Sequence, residues 1–160
     1  GVFSRPRNED LKKEFGFETQ IGFCVIDSLD DLDANTISNA KYIEDVFSKD
    51  EWGGICQAFY LGNNLIGAIG HQCYSVYEED VEKAIYLNTA YVFDMAKKKI
   101  LSKKVIGQRS DYPFAESKIE GLSDCAFTSG ILNESLKEVE LYSGLGDTVE
   151  GKIIIENPFY

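Results

Sequence analysis

Eight side chains in this sequence have the chemistry to meet a polar ligand, and they fall at a few places: Trp52 and Gln57, His71 with Gln72, Arg109 with Asp111, and Asp147 with Thr148. His71 and Arg109 are donors that would suit an anion. Asp147 and Thr148 combine a carboxylate with a hydroxyl between Gly146 and Gly151, the kind of glycine-bounded strand end on which scaffolds present binding groups. Trp52 precedes Gly53 and Gly54, which let another chain or a ligand approach the backbone. Its indole face would also suit a sugar ring that offers C–H bonds to the π cloud. Each feature has a plainer counterpart: a turn that Asp147 caps for itself, a core tryptophan, and a hydrogen-bonded core histidine.

The elements that must position these groups read as strands. Gln57 opens the first of three hairpins, 57–61 and 65–69 around the turn Gly62-Asn63-Asn64, which closes on Gly70-His71-Gln72. The second pairs 85–93 with 100–106 and closes on Gly107, with Arg109 and Asp111 beyond it. The third pairs 125–132 with 139–145 across a turn at 133–137 and closes on Gly146-Asp147-Thr148. The chain then returns through the β-branched run 149–155. Strand units recur about every 30 to 40 residues, which is near the period of a propeller blade. Outside residues 34–48 little reads as helix, and 8–15 reads as a polar loop after a strand that Pro6 ends. The fold class expected is all-β, with residues 1–160 a single propeller segment of about three blades. Innermost propeller strands converge on a channel, which would gather His71, Arg109 and Asp147 at one end. Three blades leave unpaired edges, so the native protein is expected to be longer and this chain to be roughly its C-terminal half.

Composition narrows the partners. A content of 44% hydrophobic residues, with 10 Phe and 9 Tyr, is that of a folded core. The net charge of −11 argues against nucleic acid and anionic membranes, and any anion must be held by a local cluster of donors. Cys24, Cys56, Cys73 and Cys125 are dispersed, form no metal-type pair, and with one histidine predict no metal site. They read as buried reduced thiols of a cytoplasmic protein, which makes the Asn133-Glu134-Ser135 sequon a chance match. Asp27, Asp30, Asp31 and Asp33 lack the central glycine of a calcium loop and read as caps of a short helical turn.

Ser123-Asp124-Cys125-Ala126-Phe127-Thr128-Ser129-Gly130 followed by Leu141-Tyr142-Ser143-Gly144-Leu145-Gly146-Asp147-Thr148-Val149 resembles the closing segment of the mannoside phosphorylases. These are five-bladed β-propellers of the furanosidase-like glycosidase superfamily. Leu65-Ile66-Gly67-Ala68-Ile69-Gly70-His71 is similar to their L-I-Y-H-G strand, with Gly70 where that pattern has tyrosine. The blocks Glu51-Trp52-Gly53-Gly54 and Arg109-Ser110-Asp111-Tyr112-Pro113 resemble those of an uncharacterised family of the same propeller type, and that resemblance spans nearly the whole chain. The resemblance implies that His71 binds phosphate or sugar, that Asp147 accepts a sugar hydroxyl, and that the catalytic acid lies in N-terminal blades outside this segment. It implies a small carbohydrate as partner and a glycoside phosphorylase or hydrolase, with inorganic phosphate as co-substrate in the phosphorolytic case and no other cofactor. Two further functions remain open: a non-catalytic sugar-binding propeller using Trp52, Gln72 and Asp147, and a scaffold for protein partners.

Overall fold

The computed structural model describes residues 1–6, 9–16, 19–133 and 136–160. Among the described residues ten strands build three antiparallel sheets with open edges. The first is β1 (Val2–Ser4), β2 (Gly22–Cys24) and β3 (Lys41–Tyr42), with α1 (Glu9–Phe15) and α2 (Ala34–Ser38) in its connections. The second runs β4 (Glu51–Gly62), β5 (Leu65–Glu78), β6 (Val81–Asp94) and β7 (Lys99–Gly107) in simple meander order. The third is β8 (Ala126–Leu132), β9 (Glu138–Leu145) and β10 (Val149–Glu156).

Local chemistry explains the meanders. Asn63 and Asn64, then Glu79 and Asp80, then Gly146 and Asp147, all take positive φ between consecutive antiparallel strands. Two successive left-handed residues make the tight turn whose twist matches the strands it joins. Glycine also sets how closely strands lie: a Cβ on Gly70 would strike the Gly54 carbonyl. The core sits between sheets. Phe23 of the first sheet, with Ile43 and Val46 from the segment after β3, packs on Ala68, Tyr91 and Phe93 of the second, while Ile69 and Ala90 pack on Ile131, Val139 and Leu141 of the third.

Several expectations need correction. Glu9–Phe15 is helical, not loop, and Asn8 lies outside the described residues. The helix expected over 34–48 is only α2: Asp33 caps its start, but Lys41 and Tyr42 leave it to pair with β2. The first two hairpins are one continuous sheet, joined by the turn at Glu79-Asp80, so His71 and Gln72 lie in the middle of β5 instead of at a hairpin end. Cys73 and Cys125 are buried and Cys24 is half-buried, but Cys56 is exposed because a bulge takes it out of the ladder. The sequon and the turn expected at 133–137 fall partly on Glu134 and Ser135, outside the described residues. The acidic run does cap short turns: Ser28 and Asp31 cap residues 29–31, and hydrogen bonds from Thr36 hold the Asp33 carboxyl below its usual range. Among the described residues no helix is long and apolar enough to cross a membrane.

Candidate active site

His71 is central to β5, paired across the ladder with Gly54 of β4 and Asn88 of β6. Its side chain is 2% exposed. The ring lies against Phe127, with centroids 4.3 Å apart, and more distantly against Tyr86 at 5.9 Å. Nδ1 is 3.6 Å from the Cys56 sulfur, and Nε2 has no hydrogen-bond partner among the described residues. A Cβ on Gly54 would lie 3.2 Å from Arg5 Cδ and 3.4 to 3.6 Å from the His71 Cε1–Nε2 edge, so the glycine lets that edge and the Arg5 side chain sit close against β4 at this corner. Burial, with a smaller push from the Arg5 charge, lowers the His71 pKa to about 4. The imidazole is therefore neutral near pH 7, and Arg5 supplies the positive charge.

The His71 backbone is fixed from both sides. Tyr91 Oη donates to the His71 carbonyl at 3.3 Å, and Thr128 Oγ1 donates to the Gly70 carbonyl at 2.6 Å. Thr128 belongs to a buried polar network that joins the second and third sheets. Asn88 Nδ2 reaches the Ala126 carbonyl, Thr128 Oγ1 and Ser143 Oγ at 2.7 to 3.0 Å. Tyr112 Oη donates to Asn88 Oδ1 at 2.9 Å and lies 2.8 Å from Ser143 Oγ. Asn88, Thr128 and Ser143 are each fully buried, so this network fixes a unique register between sheets.

Two β-bulges lie next to this corner. Ile55 pairs with Gly70 and Gln57 with Ile69, leaving Cys56 unpaired; Thr128 pairs with Ser143 and Gly130 with Tyr142, leaving Ser129 unpaired. Bulges of this kind re-aim side chains beside functional sites. Both bulged residues line one cleft of about 440 Å³ with Gln57 and Glu150. Gln57 also ties its walls together, donating to the Ile131 carbonyl at 3.2 Å and accepting from the Ile131 N–H at 2.7 Å. Gln72 donates to Glu51 at 2.7 Å, and Trp52 packs edge-on to Tyr86 at 6.1 Å.

Arg109, Asp111, Asp147 and Thr148 gather elsewhere, around the loop 109–124. Arg109 donates to the carbonyls of Pro113 and Ala115, both at 3.0 Å, and Asp111 accepts from the Gln108 N–H. Asp147 pairs with Lys118 at 2.9 Å, and Thr148 donates to the Glu116 carbonyl at 2.7 Å. These contacts shape a second cleft of about 690 Å³ lined by Arg109, Tyr112, Phe114, Glu116, Glu120 and Asp124. The eight sequence candidates thus form two groups, one around β4 and β5 and one around this loop. A parallel bridge from Tyr86 to Cys125 links the two.

Sequence reasoning missed Arg5, Cys56, Phe127 and the Asn88 network. Arg5 lay in what read as a strand end, and Cys56 in an apolar run. A signal for Asn88 was present: an asparagine and a threonine, Asn88-Thr89, in the middle of an otherwise apolar strand, where a buried amide needs partners.

The family model described as "Protein of unknown function (DUF1861)" matches residues 1–160, and the chain belongs to that family. Among curated proteins none matches. Several solved structures are similar, among them three from Leishmania. MPT-4, a mannose phosphorylase from Leishmania mexicana solved in complex with phosphate ion, is 39% identical with a TM-score of 0.87, over 99% of this chain and 48% of that one. MPT-1, a GDP-Man-dependent mannosyltransferase from Leishmania mexicana, is 35% identical with a TM-score of 0.82, over 88% and 45%. A hypothetical protein from Leishmania major is 39% identical with a TM-score of 0.81, over 99% and 47%. The chain therefore spans about half the length of the solved structures it matches.

Proposed function

We propose that this chain, as a member of the DUF1861 family, carries the anion-binding side of a carbohydrate-active enzyme that moves a mannosyl group to or from inorganic phosphate. The observation that carries this reading is the His71 corner: a buried imidazole with Nε2 unpartnered among the described residues, close to Gly54 and flanked by Arg5. Likeness to a mannose phosphorylase solved with phosphate supports phosphate as the ligand class in this reading.

In this reading the three sheets are blades of a five-bladed propeller, and the chain is roughly its C-terminal half. Arg5 provides charge and His71 a directional contact, so phosphate is held against the overall charge of −11. Phosphate then attacks the anomeric carbon directly, while a carboxylic acid from the other half protonates the leaving oxygen, with inversion. The same carboxylate takes that proton back in the synthetic direction. Asp147 accepts a sugar hydroxyl, and Arg109, Asp111 and Thr148 hold the loop that presents it. Trp52, Gln57 and Gln72 border the sugar on the β4 side.

The test uses the whole protein that carries this chain, with mannose 1-phosphate and a panel of sugar 1-phosphates and nitrophenyl glycosides. Phosphate-dependent turnover that disappears in His71→Ala is expected. Sugar release without phosphate would make the enzyme a hydrolase. The similarity to a mannosyltransferase favours a second reading, in which GDP-mannose is the donor; turnover of that donor alone would establish it. A folded protein silent on all of these, yet binding mannose, would be a non-catalytic sugar-binding propeller.

A further inference from the structure

His71 is the one histidine of the sequence, and its two ring nitrogens meet different surroundings. Nδ1 faces the Cys56 sulfur at 3.6 Å, within reach of a sulfur hydrogen bond. Nε2 is buried and unpartnered among the described residues, on the edge that faces Gly54 and Arg5. A neutral imidazole carries a single ring proton, so its tautomer decides what that corner offers a ligand. With the proton on Nδ1, Nε2 presents a lone pair and repels an oxyanion. With the proton on Nε2, the corner presents a donor.

We propose that Cys56 is the positioning residue that sets this tautomer: its S–H donates to Nδ1, and the His71 Nε2–H is left to donate to an oxyanion oxygen. The bulge at Cys56 places the thiol there, outside the ladder between Ile55 and Gln57. The thiol keeps its proton, because its apolar neighbours push it up to about 11 even though part of the side chain is exposed, with Arg5 pulling the other way. Thiolate and imidazolium are both disfavoured here, so the pair is a neutral donor and acceptor and not an activated nucleophile. The identity of the anion rests on the reading proposed above; the tautomer does not.

The test is nitrogen NMR of the whole protein labelled with ¹⁵N-histidine, with the His71 signals assigned by their loss in His71→Gln. The wild-type protein should show a protonated Nε2 and a bare Nδ1. In Cys56→Ala the proton should exchange between the two nitrogens, and Cys56→Ser, which restores a donor, should recover the wild-type pattern. For phosphate, Cys56→Ala should raise KM about three- to tenfold with a smaller change in kcat, as befits loss of one modest hydrogen bond, and Cys56→Ser should recover most of it. Simple damage to packing would lower the denaturation midpoint in both variants and leave the tautomer unchanged. A wild-type ring protonated on Nδ1, or a Cys56→Ala ring identical to wild type, would overturn the proposal. Tautomers that behave as described while phosphate leaves the signals unmoved would overturn the anion reading and leave Cys56 as the group that sets the His71 tautomer.

Discussion

Lowering the pH should destabilise this protein through His71, with an onset above the ordinary carboxylate range. The imidazole is held neutral in the folded state with a pKa of about 4, against an ordinary value of 6.5. Between those values the unfolded chain binds a proton that the folded chain refuses, so stability rises with pH across this window and is lost as pH falls through it. Each pKa unit is worth about 1.36 kcal/mol, and a shift of this size amounts to about 3 kcal/mol once both pKa values have been passed. That is a large part of the 5 to 15 kcal/mol typical of a domain. The assay is urea denaturation at intervals from pH 7.5 to 4, comparing the wild-type protein with His71→Gln, which cannot titrate. The 27 acidic residues contribute to both proteins alike, so the difference between the two curves isolates His71. The wild-type curve should fall away from the variant's between pH 6.5 and 4 by about 3 kcal/mol. Parallel curves, or a His71 NMR titration centred near the ordinary value, would refute the account of a buried, neutral imidazole.

Other perturbations separate structural from ligand-binding roles. Asn88→Ala removes the centre of the buried network and takes one hydrogen-bond partner each from Tyr112 Oη, Thr128, Ser143 and the Ala126 carbonyl; a loss of about 3 kcal/mol in denaturation is expected. Gln57→Ala unpairs both backbone groups of Ile131 and should cost about 2 kcal/mol by the same measurement. Asp147→Ala should change stability by less than about 1 kcal/mol, since its pair with Lys118 is largely exposed, yet should lower mannosyl turnover; unchanged turnover would leave Asp147 a turn residue only. Arg5→Ala should raise KM for phosphate in a manner that added salt mimics in the wild-type protein, and salt-independent phosphate binding would remove Arg5 from the site.

The strands were legible because their signals are local. Asn63-Asn64 and Gly146-Asp147 are hairpin turns by composition, and the β-branched run of β10 can hardly be read otherwise. The turn at Glu79-Asp80 was hidden because acidic residues at positive φ are unusual, and without it one sheet looked like two separate hairpins. His71 stood out in the sequence as the one histidine, but its surroundings at mid-strand and its neutrality come from Phe127, Tyr86 and Cys56, residues 15 to 56 positions away that only the packing of sheets brings near. Arg5 was out of reach for the same reason, since nothing in Ser4-Arg5-Pro6 points to β4 and β5.

In the proposed anion site, the division of labour between Arg5 and His71 bears on what an acidic protein must do to hold an anion. A second permanent cation at the corner would strengthen attraction but add no direction, whereas a neutral N–H aims at one oxygen and is indifferent to the surrounding field. Burying that imidazole costs stability only below pH 6.5, in the window where its proton would otherwise be gained. It follows that His71→Lys should not rescue His71→Ala in phosphate-dependent turnover, even though it adds charge beside Arg5. A lysine there would be a desolvated point charge without the planar donor geometry, next to a guanidinium that opposes it. His71→Asn places an N–H donor without charge and should retain more activity than His71→Lys; the reverse order in kcat/KM would show that charge, and not a directed donor, is what this corner supplies.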